Sequence, residues 1–190
     1  MEKAKTYTIH IAGLTRELPL CKVTDDIYIA AFICFGDAEL TEACAREMLK
    51  LVSREDYDYI LTAEAKGIPL CYEMARQAGT DKYVIARKGP KLYMENLLTT
   101  DVDSITTDHI QMLCIGQREI DMIKDKRVLL VDDVISTGES LRSLENLVGR
   151  AGGNIVGRLT VLAEGKACED PRITYLEELP VFNPDGTVKK

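Results

Sequence analysis

The chain has 190 residues, 46% of them hydrophobic, which is enough for one well-cored domain. Its formal charge of −7 argues against a general nucleic-acid surface, which needs a clustered basic excess. No apolar stretch approaches the span of a membrane helix, and the opening MEKAKTYTIH lacks the apolar core of a signal peptide, so a cytoplasmic protein with no membrane partner is expected.

In chain order, the first 36 residues read as short strands. TYTIHIAG alternates in part, ELPLCKV follows, and IYIAAFICF is an apolar run ending at Gly36. GDAELTEACAREMLKLV then turns helical, with Asp37 as N-cap and Leu40, Cys44, Met48 and Leu51 on one face. YDYILTA is a strand, IPLCYEMARQAG a helix stopped by Gly79, and KYVIARK a strand running into a basic loop. SITTDHIQMLCIG reads as extended and KRVLLVDD as a buried strand. SLRSLENLVGRAGG is a helix with Leu141, Leu144, Leu147, Val148 and Ala151 turned inward, and NIVGRLTVLAE is the last core strand. The six cysteines (Cys21, Cys34, Cys44, Cys71, Cys114, Cys168) include no C-x-x-C pair and no zinc spacing; most sit in apolar runs, as small buried hydrophobes do.

From residue 37 onward strands and helices mostly alternate with short connections. The expected fold is therefore α/β: an open, mainly parallel twisted sheet flanked by helices. Ligands of such sheets gather beyond the carboxyl ends of the strands, which directs attention to three loops.

The first is VLLVDDVISTGES, residues 128–140. Its strand delivers Asp132 and Asp133 to the sheet edge, and Ser136, Thr137, Gly138, Glu139 and Ser140 lead into a helix. Amides at a helix start, with small hydroxyls, make an anion site, and Gly138 permits close backbone approach or a positive φ. The carboxylates repel a phosphate and need hydroxyl donors or a metal ion. A ribose 5-phosphate satisfies both ends. A phosphorelay receiver also carries an acidic pair after a strand, but near its own start, and here less than a third of the chain follows Asp133.

These thirteen residues resemble the phosphoribosyl-pyrophosphate signature of the type I phosphoribosyltransferases. The resemblance implies that Asp132 and Asp133 orient ribose hydroxyls beneath a developing oxocarbenium, while residues 136–140 hold the 5-phosphate. It makes TAEAKGIP, residues 62–69, the pyrophosphate loop, with Ala65, Lys66 and Gly67 contacting the leaving group. A non-proline cis bond is then expected at Ala65–Lys66 and a helix opening at Ile68. In the third loop Arg87, Lys88 and Lys91 form a cationic cluster on an otherwise acidic protein, which suits a polyanionic small molecule. Its R-K-x-x-K spacing resembles that of adenine phosphoribosyltransferases, whose basic residues contact pyrophosphate. The following ENLLTTDVDSITT resembles the family's lid, and its NLLT portion that of xanthine phosphoribosyltransferases.

For the base the resemblance is less specific. Adenine-specific relatives carry a Tyr-Gly-acidic lid motif absent here; Asp101, Asp103 and Asp108 are carboxylates of that region with no assigned role. Xanthine-specific relatives place a lysine directly after the glutamate ending the last core strand. Here VLAEGKA gives Glu164 as a substrate contact, then Gly165, with Lys166 one place late. By the same resemblance residues 37–167 form the core, and 1–36 with 168–190 form a hood over the base.

The implied function is a purine phosphoribosyltransferase, adenine phosphoribosyltransferase-like. It moves ribose 5-phosphate from phosphoribosyl pyrophosphate to a purine base, with Mg2+ as cofactor and a homodimer as the assembly. The alternatives are a regulatory phosphoribosyl-pyrophosphate-binding protein and a transferase for another base.

Overall fold

The computed structural model describes residues 5–100 and 112–189. In chain order the elements are β1 (Thr6–Ile11), β2 (Leu14–Lys22), β3 (Tyr28–Ala30), α1 (Ala38–Leu49), β4 (Tyr59–Ala63), α2 (Gly67–Gln77) and β5 (Val84–Ala86). They continue with β6 (Leu98–Thr99), β7 (Cys114–Ile115), α3 (Gln117–Ile123), β8 (Arg127–Ile135), α4 (Glu139–Arg150), β9 (Asn154–Glu164), β10 (Ile173–Leu179) and β11 (Val181–Phe182).

Five strands in the order β10-β9-β8-β4-β5 make a parallel sheet. Its middle strands are near-continuous apolar runs because both faces are covered. Leu129, Val131, Leu159 and Val161 pack with Leu40, Cys44 and Met48 of α1 and Leu70, Cys71 and Met74 of α2. The alternate residues Leu61, Val84, Val128 and Leu130 pack with Ile123 of α3 and Leu141, Leu144, Leu147 and Val148 of α4. The period-two alternation of β8 thus feeds two cores, one on each face. This is the open parallel sheet flanked by helices that the sequence implies.

A smaller antiparallel sheet runs β1-β2-β3-β11. Its Ile9, Ile11, Leu18 and Phe182 join the core on the α1–α2 side. Arg16 of β2 ties the small sheet to α1: its guanidinium lies 2.7 Å from both Asp37 and Glu39 at the start of that helix. Asp37 is the N-cap expected from the sequence, accepting from the Leu40 amide at 2.9 Å. No helix among the described residues is long and apolar enough to cross a membrane.

Several expectations need correction. β3 ends at Ala30, so Ala31–Gly36 is irregular backbone; the Cys34 carbonyl accepts from the Thr41 hydroxyl and the Asp37 amide, and so turns toward α1. Leu51 lies past the end of α1 and is 45% exposed, because the Lys50 amide closes the helix on the Glu47 carbonyl and the Leu51 amide on that of Met48. β9 is not the last core strand: β10 pairs with it in parallel, so residues 168–190 are divided between the large sheet and, through β11, the small one. α3 carries too short an apolar repeat to stand out; the Glu119 side chain closes its start on the Gly116 amide at 3.1 Å.

Candidate active site

Because β4, β5, β8 and β9 are parallel neighbours, their carboxyl ends converge on one edge of the sheet. All three loops singled out in the sequence lie there. β8 runs to Ile135, paired with β9 as far as Ile135 and Ala163, so Asp132 and Asp133 sit inside the strand rather than after it. That register fixes both carboxylates against the packed core.

Asp133 is only 2% exposed, and its Oδ2 has no hydrogen-bond partner although Lys66 Nζ stands 3.1 Å away. Asp132 accepts the Asp133 amide at Oδ1, 2.9 Å. Burial, and then the neighbouring charge of Asp133, push the Asp132 carboxyl well above the usual carboxylate range. Two carboxylates thus share one lysine in a partly desolvated place. Such a pair binds hydroxyl donors or added positive charge and repels free anions.

Two helices begin beside this pair without a side-chain cap. α2 starts at Gly67, after Lys66 in helical conformation (φ −69°, ψ −31°), and α4 starts at Glu139, after Gly138 with φ 75°. The Ile68 amide donates to the Ala65 carbonyl and the Glu139 amide to the Thr137 hydroxyl; the other first-turn amides have no intrahelical carbonyl, so both ends present N–H groups and positive dipole to an anion. Gly67 sits where no side chain fits. A Cβ there lies 2.1 Å from Thr62 Oγ1, itself fully buried, and 3.5 Å from Asp132 Oδ1. In the α4 loop the Thr137 hydroxyl accepts the Glu139 amide, and Arg142 donates to the Thr137 carbonyl. Ser136 and Gly138 are half-buried; Thr137, Glu139 and Ser140 are exposed.

The geometry of residues 62–69 corrects one detail. The non-proline cis bond joins Glu64 to Ala65, not Ala65 to Lys66, and the helix opens at Gly67 rather than Ile68. Lys66 is already helical, which moves the whole turn one residue toward β4.

Arg87 directly follows β5, and Lys88 and Lys91 are exposed beyond it. What gathers them is Glu64, a residue the sequence reading missed. Its Oε2 accepts the Lys88 amide at 2.9 Å, and its Oε1 lies 3.6 Å from Arg87 Nη2. The Lys88 amide, and then the charges of Arg87, Lys91 and Lys88, hold this carboxyl below its ordinary range. The signal was there: with β4 and β5 parallel, residues directly after each strand must be neighbours, as the Ala63–Ala86 register confirms.

Glu164 ends β9 half-buried; burial raises its carboxyl while the charge of Lys66 opposes the rise. Lys166 is exposed on the turn Gly165–Glu169. Cys34 is fully buried on the irregular stretch after β3, and burial pushes its thiol up. Ile33 and Phe35 on either side of it are exposed. The foot of the expected lid is a ribbon of β6 and β7, closed by the Leu113 amide on Thr100 Oγ1 at 3.0 Å. Asp101, Asp103 and Asp108 lie outside the described residues.

A family model described as the phosphoribosyl transferase domain matches residues 37–183. The chain is 27% identical over 128 residues to a xanthine phosphoribosyltransferase of Lactobacillus acidophilus, covering 67% of this chain and 66% of that protein, just under two thirds of its length. It is 29% identical over 160 residues to a xanthine phosphoribosyltransferase of Bacillus cytotoxicus, covering 80% and 79%. Among solved structures, an adenine phosphoribosyltransferase of Rhodothermus marinus matches with a TM-score of 0.62 at 24% identity, over 74% of this chain and 80% of that one. One from Thermoanaerobacter pseudethanolicus matches at 0.61 and 20% identity, over 79% and 95%.

Proposed function

The chain belongs to the phosphoribosyl transferase domain family, and from that membership we propose that it is a purine phosphoribosyltransferase. It transfers ribose 5-phosphate from phosphoribosyl pyrophosphate to a purine ring nitrogen, releasing pyrophosphate. The observation that carries this reading is the Asp132–Asp133 pair, half-buried and buried respectively, on the strand that leads into α4 and beside the start of α2, two helices that begin without a side-chain cap.

In this reading the amides of the α4 start, with the hydroxyls of Ser136, Thr137 and Ser140, take the 5-phosphate as a remote handle. Asp132 and Asp133 accept the ribose 2- and 3-hydroxyls. As the bond from the anomeric carbon to the diphosphate breaks, the diphosphate leaves with the electron pair and positive charge develops on the sugar. The two carboxylates then lie beneath that charge, where a low-dielectric setting strengthens their field. The base nitrogen closes on the face opposite the diphosphate, giving inversion, and its proton passes to water or to the departing diphosphate. Lys66, Arg87 and Lys88, with Lys91 at the rim and the amides of Ala65–Gly67, take up charge on the departing group. Glu164, at the end of β9, faces the base.

Mg2+ fits this arrangement as an ion carried chiefly by the diphosphate. No group of three or more His, Cys, Asp or Glu able to hold a metal is present among the described residues, while Asp133 Oδ2 is buried with no hydrogen-bond partner. Asp132 and Asp133 would meet the ion or its waters, and when bound it offsets leaving-group charge.

Between purines, the sequence relatives favour xanthine, since the likeness to adenine enzymes at under 25% identity is one of fold; the R-K-x-x-K spacing favours adenine. Product analysis with adenine, xanthine, hypoxanthine, guanine and uracil offered together with phosphoribosyl pyrophosphate decides. One purine nucleoside monophosphate is the expected product. Binding of phosphoribosyl pyrophosphate with no product from any base overturns the reading in favour of a ligand-sensing protein.

A further inference from the structure

Glu64 belongs to two loops at once. Its amide donates to the Ala86 carbonyl at 2.8 Å, carrying the β4–β5 pairing one residue beyond the strands. From there its carboxylate reaches across the edge to the Lys88 amide and the Arg87 guanidinium, and its own carbonyl carbon begins the turn Ala65–Lys66–Gly67.

A carboxylate is out of place here on charge alone. If this corner receives a diphosphate, Glu64 repels it, and the repulsion is strong in a partly desolvated cleft. Its retention as an ionised group therefore needs an offsetting role. Arg87 supplies the reason: its Nε is buried with no hydrogen-bond partner, and the ion pair recorded for its guanidinium among the described residues is with Glu64. The Arg87 backbone is bridged to Cys114 through both its amide and its carbonyl, but without the Glu64 carboxylate the Arg87 guanidinium and the Lys88 amide each lose a contact that orients them. Fixing them in advance removes ordering entropy from the binding step.

We propose that Glu64 is a positioning residue: it locks the Arg87–Lys88 segment to the Ala65–Gly67 turn so that both present their donors to one pyrophosphate group. This rests on the phosphoribosyltransferase reading and adds to it a residue that touches no substrate. The inference has a sign opposite to simple electrostatics, since removing a negative charge from an anion site ordinarily tightens binding.

The test is calorimetric titration of the whole protein with pyrophosphate, and separately with ribose 5-phosphate, for wild type, Glu64→Ala and Glu64→Gln. Pyrophosphate affinity is expected to fall about tenfold in Glu64→Ala and about threefold in Glu64→Gln, which keeps an acceptor for the Lys88 amide but no charge for Arg87. Ribose 5-phosphate affinity, read at the α4 loop, is expected to stay unchanged in both. Glu64→Gln is nearly isosteric and keeps the test open if Glu64→Ala does not fold. Unchanged or tighter pyrophosphate binding in a folded variant overturns the inference alone, as does an equal loss for both ligands. A wild type that binds neither anion overturns the parent reading, and this inference with it.

Discussion

Lys66 Nζ stands 3.1 Å from Asp133 Oδ2, so a half-exposed cation from the start of α2 rests on a buried carboxylate of β8. The pair joins two loops that the proposed reaction uses for different parts of one substrate. In the free protein Lys66 is a counter-ion; with a diphosphate present, the same ammonium has a stronger partner. The acidic pair is then left to the sugar hydroxyls. In the proposed reaction this one side chain couples filling of the pyrophosphate end to freeing of the acidic pair for the ribose.

Replacing Lys66 by methionine leaves Asp133 buried without its cation. Stability is expected to fall by about 1–2 kcal/mol, discounted from a fully buried pair because Lys66 is half exposed. Urea unfolding at pH 8 checks this. An unmoved midpoint contradicts the role of Lys66 as counter-ion.

Asp132 pulls in the other direction. Burial, and then Asp133, push its carboxyl up from 3.8 to about 7. A folded-state value above the unfolded one means that its contribution to stability is complete below about pH 4 and is lost as pH rises toward 7. Asp132→Asn cannot ionise, so it is expected to be more stable than wild type by about 1–2 kcal/mol at pH 8, with the gain vanishing near pH 4. The same variant is expected to lose about a hundredfold or more in turnover. Melting curves at the two pH values, with initial rates at pH 8, decide it. A destabilised variant at pH 8, or an active one, goes against the assignment.

Gly67→Ala places a methyl 2.1 Å from Thr62 Oγ1, inside a contact that cannot open because Thr62 is fully buried. A loss of about 1–3 kcal/mol is expected from overpacking. Adding Thr62→Ala removes the obstructing oxygen and leaves the Thr62 Cβ at 3.2 Å, so the double variant is expected to recover part of the loss. Strictly additive denaturation energies contradict the steric account.

Much of this was legible in the residues because the information was local. β9 spans Asn154–Glu164 as read, since an apolar run between Gly153 and Gly165 bounds itself. Asp37 capped α1 by the ordinary preference of a carboxylate for first-turn amides. The acidic pair and both helix starts were likewise local patterns. What was lost depends on register or on weak periodicity. β10, buried chiefly at its ends, Ile173 and Leu179, gives no clean alternation along its length, so it reads as a tail segment when it is an edge strand. Glu64 acquires its partners only once β4 and β5 are aligned side by side. Residues 31–36 leave the strand early, a break that an unbroken apolar run conceals.

A crystal grown with ribose 5-phosphate tests the central claim most directly. The phosphate is predicted to lie on the amides of Thr137–Leu141, with the 2- and 3-hydroxyls of the ring directed at Asp132 and Asp133. A sugar phosphate held at any other place, or carboxylates of Asp132 and Asp133 that stay turned from it, contradicts the assignment.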